Sequence, residues 1–268
     1  MEQKQNQLIE NLDQWAKEDV CVAFSGGVDS SLLLHLAVQA ANRHGTKVYA
    51  ATFQTELHPQ ADLDIAKRVA ADAGAIHVIM EVNEFEDDRI LENPVNRCYL
   101  CKKLLFTNLL NFAKEKGIHT VYDGTNADDL KVYRPGLQAV KEMGVYSPLA
   151  MAGLTKEEVR SWAEECGISV SRRPSAPCLA TRLPYGTRIE KSVLECIDAG
   201  EEYLKTLGFP NVRIRQHGDI SRIEVEKKDF PAILEQGDEI VTKLKELGLR
   251  YITLDLQGFR SGSMDEYL

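Results

Sequence analysis

No apolar run in this 268-residue chain approaches the roughly 20 residues that a membrane-spanning helix needs; one of the longest lies around residues 32–37. The first residues, MEQKQNQLIENLDQW, form a polar amphipathic pattern without a signal-peptide core. A cytoplasmic protein with no membrane partner is expected. Positive charge is not in excess either, since 32 Lys and Arg stand against 41 Asp and Glu, a net charge of −9. That balance disfavours a broad nucleic-acid footprint and leaves room only for a local basic groove. Internal repeats and low-complexity tracts are missing, which argues against a solenoid or a disordered linker. Six cysteines in a cytosolic-looking chain do not make a disulfide framework, because that compartment keeps thiols reduced. What is present is an ordinary globular composition, 44% hydrophobic and 27% charged, long enough for one good core and a smaller second one.

Residues 1–18 carry helical periodicity, and residues 20–24 form a short apolar run ending at a Gly pair, the pattern of a buried strand entering a turn. A helix over about 30–43 follows at once. Further strands are expected over 47–52, 77–81 and 120–123, separated by helices over 59–74 and 102–116. This alternating order predicts an α/β fold with a parallel sheet, right-handed crossovers and ligands beyond the carboxyl ends of the strands. After a helix over 156–166, an irregular Pro- and Arg-rich stretch between Ser169 and Ile189 is the expected domain junction. Beyond it, a helix (190–207), two strands (212–217 and 220–225), a helix (230–247) and a strand (251–256) predict a small α+β C-terminal domain. The expected domains are 1–185 and 186–268, the second for substrate binding or oligomerisation.

The segment CVAFSGGVDSSLLLHLA puts a strand, a Gly-rich turn and a helix N-terminus in immediate succession. Such a junction points free backbone N–H groups and the positive end of a helix dipole at an anion. Gly26 and Gly27 permit close approach, and Ser25 and Ser30 add hydroxyl donors. Gly pairs also occur merely to join a strand to a helix, but here two serines and an acid frame the pair. The lysine that completes a GxxxxGK[ST] loop is missing, so transfer of the terminal phosphoryl group is the weaker reading, and Asp29 suits a Mg²⁺–pyrophosphate unit. Residues 25–30 match the SGGxDS motif of the PP-loop ATP pyrophosphatases at every fixed position, and the chain resembles that superfamily. The resemblance implies an HUP-like Rossmann domain over roughly 1–170 that activates a carboxyl, carbonyl or amide group as its adenylate. The loop DGTNADD (123–129) is similar to the GTNxxD loop of such synthetases, which implies nucleotide and metal contacts from Gly124, Asn126 and Asp129.

Cys98 and Cys101 form a CxxC near a helix start, where the dipole favours thiolates. A pair alone fits half a zinc site, a redox pair or part of an iron–sulfur site. Cys178 lies in the Pro-rigid, Arg-flanked loop PSAPCLATR, a poor place to bury a thiol for packing. Cys21, Cys166 and Cys196 sit in strand or helix patterns as small hydrophobes. Three thiolates without an obvious fourth ligand suit a [4Fe–4S] cluster with one open iron, whereas structural zinc wants four closed ligands. His77 or His119 could complete a zinc site, but each is more simply a packed or surface histidine.

SGGVDSS, DGTNADD, RRPSAPCLATR and the closing DLQGFRSGS together resemble the LarE family over essentially the whole chain. That resemblance implies a sulfurtransferase of nickel-pincer nucleotide biosynthesis for lactate racemase. Each carboxylate of pyridinium-3,5-biscarboxylic acid mononucleotide would be adenylated by ATP and converted to a thiocarboxylate. The family divides over its sulfur source. One branch sacrifices the sulfur of a single cysteine at the position of Cys178; the other holds a [4Fe–4S] cluster on cysteines matching Cys98, Cys101 and Cys178, fed by sulfide or another donor. This chain has the three-cysteine pattern, and the resemblance also implies a homo-oligomer, a hexamer among the options.

The substrate carries a phosphate, and period-two alternation over 212–217 puts Arg213, Arg215 and His217 on one face of a strand, with Val212 and Ile214 on the other. Two guanidiniums on one face suit a phosphate; a solvated strand face is the bland reading. Arg182 beside Cys178, Arg260 in GFRSG, and Glu202 and Glu224 opposite a cationic ring complete the candidate substrate site. Competing readings are a tRNA-thiolating PP-loop enzyme, an ammonia-using synthetase, which leaves the cysteines unexplained, and a non-enzymatic nucleotide sensor.

Overall fold

A computed structural model describes residues 1–131, 135–174, 177–260 and 262–265. Ser175 and Ala176 of the PSAPCLATR loop, Ser261 of GFRSG and the final three residues lie outside the described residues. The chain folds into two compact units, Met1–Glu86 with Asn96–Ala176, and Asp87–Val95 with Pro177–Leu268. The 185/186 boundary drawn from sequence did not anticipate the short segment Asp87–Val95, which leaves the first unit and comes back.

In the first unit the order is α1 (Glu2–Trp15), β1 (Val20–Ala23), α2 (Val28–His44), β2 (Val48–Gln54), α3 (Gln60–Ala73) and β3 (Ile76–Glu81). The second unit's short α4 (Asp88–Leu91) intervenes, and then come α5 (Arg97–Glu115), β4 (Thr120–Tyr122), α6 (Pro135–Glu142), α7 (Pro148–Met151) and α8 (Lys156–Glu165). All strands of its sheet are parallel, in the order β3-β2-β1-β4, with Val20 opposite both Val48 and Thr120. Both faces of such a sheet must be covered, and β1 shows how. Val20 and Val22 enter a core with Leu8 and Leu12 of α1, Leu32 and Leu33 of α2 and Val159 of α8. Cys21, pointing the other way, enters a second core with Leu105, Phe106 and Leu109 of α5. Because the sheet is parallel, the carboxyl ends of β1 and β4 open on the same edge, and the loops that follow them meet there.

The second unit contains α9 (Lys191–Thr206), β5 (Arg213–His217), β6 (Ile220–Glu224), α10 (Phe230–Glu235), α11 (Gly237–Glu246) and β7 (Tyr251–Leu254). Its sheet runs β5-β6-β7, antiparallel between the first two strands and parallel between the last two. Leu194, Ile197 and Leu204 of α9, Ile214 and Ile223 of the sheet, and Ile240 and Leu244 of α11 are buried. The single helix expected over 230–247 is two, interrupted at Gln236; a glycine at the next position has low helix propensity and lets the chain turn there. The excursion Asp87–Val95 is stitched to this unit by backbone bonds from Ile189 N to Leu91 O at 2.7 Å and from Gly186 N to Asn93 O at 2.8 Å. Asn93 Nδ2 adds a bond to Pro184 O at 2.9 Å. No helix among the described residues is long and apolar enough to cross a membrane.

Candidate active site

After β1 the chain turns through Phe24–Gly27, and α2 starts with Gly27 as its N-cap. Phe24 N donates to Ala51 O at 2.7 Å, anchoring the turn to the sheet edge. Gly26 adopts φ +70°, and a Cβ there would lie 3.0 Å from Ala66 Cα on α3, so the glycine answers both a backbone and a packing demand. The two serines brace the turn from inside. Their hydroxyls lie 3.2 Å apart, Ser30 Oγ donates to Gly27 O at 3.1 Å, and Gly27 N donates to Ser25 Oγ at 3.4 Å. Their reach to a ligand therefore begins from an already closed loop.

The loop after β4 packs directly on this turn. A Cβ on Gly124 would sit 2.9 Å from Ser30 N, which only glycine avoids. Asp123 is buried and fixes the loop by accepting from Thr125 Oγ1 and Ser147 Oγ, each at 2.5 Å. Asn126, 2% exposed, is the junction: Nδ2 donates to Asp29 Oδ1 at 3.1 Å, while Oδ1 accepts from Asp128 N at 2.9 Å and Asp129 N at 3.3 Å. Asp129 Oδ2 in turn accepts from Asn126 N at 3.1 Å. Asp29, Ser30, Gly124, Asn126 and Asp129 thus come together at one sheet edge. The other oxygen of Asp29 accepts from Lys156 Nζ, a partner that local motif reading did not reveal.

Cys98 and Cys101 lie about one turn apart at the start of α5, both half-buried. The buried Arg97 donates from Nη2 to Cys98 Sγ at 3.4 Å. Cys101 Sγ lies 3.9 Å from Oε1 of Glu84, a fully buried acid whose pKa burial pushes up to about 7, against the lowering pull of hydrogen bonds that include Thr55 and Cys101. Its Oε2 is buried without a hydrogen-bond partner. Behind them Thr55 Oγ1 bonds His58 Nδ1 at 2.7 Å, and burial with the charges of Lys102 and Arg97 lowers His58 to about 4, Asp62 opposing. Glu84, Thr55 and His58 were invisible to motif reading, since no local spacing ties them to the CxxC, whereas Arg97 and Lys102 flank it directly in the sequence. The remaining thiols pack: burial raises Cys21 to about 12 and also raises Cys166. His77 bonds Thr52 Oγ1 at 2.8 Å, and His119 is exposed.

In the second unit Cys178 is the half-buried N-cap of a 3₁₀ turn, Leu179–Arg182. Its carbonyl accepts from Thr181 N at 3.0 Å, Thr181 Oγ1 at 2.8 Å and Arg182 Nη1 at 3.2 Å. Arg182 is 2% exposed and pairs Glu201 with both arms of its fork, at 2.9 and 2.8 Å, while Nη1 also donates to Pro177 O at 2.9 Å. That guanidinium is occupied in shaping the Cys178 loop. Among the described residues no three of His, Cys, Asp and Glu are grouped to hold a metal ion. The cysteines divide as Cys98 and Cys101 in one unit and Cys178 in the other. Soft thiols at a helix start beside a guanidinium are a donor set that fits thiolate-ligated iron.

Arg213 and Arg215 do share a face of β5, but it is buried, so the solvated-face reading is corrected. Arg215 Nε donates to Glu224 Oε2 at 3.1 Å and Nη1 to Thr181 O at 2.9 Å. Glu224, wholly buried, also accepts from Ser263 Oγ at 2.7 Å and Arg222 Nη2 at 3.0 Å. Glu201 Oε1 accepts from Ile214 N at 2.9 Å. Arg213 lies over the Phe259 ring at 5.4 Å, and burial with the neighbouring Arg182 charge lowers it to about 10. Arg260 lies 3.7 Å from Asp255, which Arg222 also pairs. Arg182, Arg215, Arg222 and Arg260 thus pair with Glu201, Glu224 and Asp255, and with Arg213 they make this part of the second unit rich in guanidinium groups. Glu202, by contrast, is half-exposed and paired with Lys205 one helical turn on. Glu201, Arg222 and Asp255 belong to this network and were not candidates from sequence.

Residues 1–130 match the model of a family described as the PP-loop domain. The chain is 37% identical over 249 residues to the pyridinium-3,5-bisthiocarboxylic acid mononucleotide synthase of Lactiplantibacillus plantarum, covering 93% of this chain and 90% of that one. An uncharacterized protein of Synechocystis sp. is 36% identical over 264 residues, covering 97% of each chain. A tRNA-specific 2-thiouridylase of Rhizobium meliloti is 26% identical over 226 residues, covering 68% of this chain and 56% of the relative.

Proposed function

Because the chain belongs to the LarE family of pyridinium-3,5-bisthiocarboxylic acid mononucleotide synthases, ATP-dependent sulfurtransferases with a PP-loop domain, we propose that it thiolates a pyridinium-3,5-biscarboxylic acid mononucleotide. The product would serve nickel-pincer cofactor synthesis for lactate racemase. The observation that carries this reading is the hydrogen bond from Asn126 to Asp29, which closes the loop after β4 onto the phosphate turn.

In the first step a substrate carboxylate oxygen attacks the α-phosphorus of ATP, the bond to the bridging oxygen breaks, and pyrophosphate departs. The N-terminus of α2 favours the phosphates through its unpaired N–H groups and its dipole. Asp29 and Asp129 would hold Mg²⁺, which neutralises phosphate charge. In the second step a sulfur nucleophile attacks the acyl carbon of the adenylate, the carbon–oxygen bond to AMP breaks, and the thiocarboxylate forms. Cys98, Cys101 and Cys178 would hold a [4Fe–4S] cluster, which when bound supplies sulfide as the nucleophile. Arg213 and Arg215 hold the substrate phosphate in the cationic network of the second unit, Arg260 standing at its margin. Arg182, with its donors committed, sets the backbone around Cys178, and Glu201 and Glu224 keep the arginines in register.

Anaerobically purified protein, given ATP and the pyridinium substrate, is expected to release pyrophosphate and AMP as thiocarboxylate accumulates. ADP and phosphate would refute the adenylation step. Iron and sulfide analysis tests the cluster: iron-free protein that thiolates once and loses a sulfur atom from Cys178 would establish the sacrificial route instead. Thiouridine formed in bulk tRNA would overturn the substrate; the net charge of −9 speaks against it.

A further inference from the structure

The phosphate turn lacks a lysine in its motif, yet folding delivers one from 127 residues away. Lys156 is the first residue of α8, and its Nζ donates to Asp29 Oδ2. Asp29 stands in the first turn of α2, so an ammonium resting on its carboxylate also borders the free N–H groups of that helix end. The base of this lysine is firmly held. Its backbone N–H donates to Asp128 Oδ2 at 2.9 Å, Thr155 and Glu158 form a capping box around the helix start, and Lys4 Nζ donates to Glu158 at 2.8 Å. The tip is not sealed, since the side chain is 35% exposed. A fixed stem with a free tip is what a cation needs to change partners.

Building on the reading of this turn as an ATP site, we infer that Lys156 is its polyphosphate-binding residue. It moves its ammonium from Asp29 to the β- and γ-phosphates and holds them as pyrophosphate leaves. The direction of exchange follows from charge. A triphosphate presents several negative charges where Asp29 presents one, so the ammonium gains by the transfer. Asp29 stays oriented through Asn126. The interaction strengthens as charge builds on the departing group, which is where a fixed cation accelerates the reaction. A compact ammonium on a flexible stem suits that task.

The competing role, a charge that merely balances Asp29, is separated by titrating MgATP, Mg-pyrophosphate and AMP into the wild type, Lys156→Gln and Lys156→Arg by calorimetry. Lys156→Gln is expected to weaken MgATP and Mg-pyrophosphate at least tenfold and AMP less than twofold. Lys156→Arg, which keeps the charge and guards against loss of fold, recovers most of the pyrophosphate affinity. Equal loss of all three ligands in Lys156→Gln, or no loss of any, would overturn the assignment. Wild-type protein that releases phosphate from ATP would refute the adenylation reading instead, and pyrophosphate binding would still judge Lys156.

Discussion

Replacing Glu201 with Ala leaves the Arg182 guanidinium buried without its bidentate partner. Both side chains are 2% exposed, and Glu201 Oε1 is also the acceptor for Ile214 N, so one truncation strands three N–H donors, Nε and Nη2 of Arg182 and the Ile214 amide. Breaking a buried pair from one side costs about 3–5 kcal/mol, because the surviving charge is neither solvated nor paired. At about 2–4 °C per kcal/mol for a chain of this size, the melting temperature should fall by roughly 6–20 °C. Removing both charges at once, as Arg182→Met with Glu201→Leu, should cost less than Glu201→Ala alone, although the Pro177 carbonyl loses its Arg182 Nη1 donor while that of Cys178 keeps Thr181. The assay must be chosen with care, since both tryptophans, Trp15 and Trp162, lie in the first unit. Far-UV circular dichroism and calorimetry follow both units; tryptophan emission follows only one. Alkylation of Cys178 should also quicken in Glu201→Ala as its loop loosens. A Glu201→Ala protein within 1 kcal/mol of wild type by these measurements, or a double variant costing the sum of the singles, would refute the reasoning.

Gly124→Ala should weaken MgATP binding and lower the melting temperature by several degrees, because its Cβ would meet Ser30 N at 2.9 Å; Gly27→Ala, whose nearest neighbour is the Ser25 hydroxyl at 3.4 Å, should do much less, and equal effects in a binding titration would contradict the packing argument. His58 has a folded pKa of about 4 against the usual 6.5, so the stability it contributes is complete above 6.5 and lost as pH falls through 4; His58→Gln should narrow that acid loss in denaturation curves taken across this window. Cys21, raised to about 12 by burial, should be the last of the six cysteines to react with iodoacetamide, as read by peptide mass spectrometry.

Much of the fold was legible because its signals are local. The run before Gly26 marks β1, and the serine and acid after it mark the start of α2. What stayed hidden was pairing across long stretches of chain. Lys156 meets Asp29, Arg173 meets Asp62 and Glu84 meets Cys101 through the order of parallel strands, and no spacing in the sequence encodes those encounters. Alternation correctly put Arg213 and Arg215 on one side of β5. It was silent on burial, which depends on Glu201 and Glu224 arriving from α9 and β6. The break at Gln236 has no counterpart in the apolar periodicity, which continues across it.

The excursion of Asp87–Val95 makes the chain pass between its two units three times. A C-terminal fragment beginning at 186 would lose the partners of Gly186 N and Ile189 N, and the remaining piece would carry Leu91 and Asn93 with their carbonyl acceptors vacated. Neither half is then a self-sufficient module. Such a molecule cannot have been joined, nor be taken apart, by one recombination point; exchanging its second unit with that of a relative means transplanting two separate stretches together.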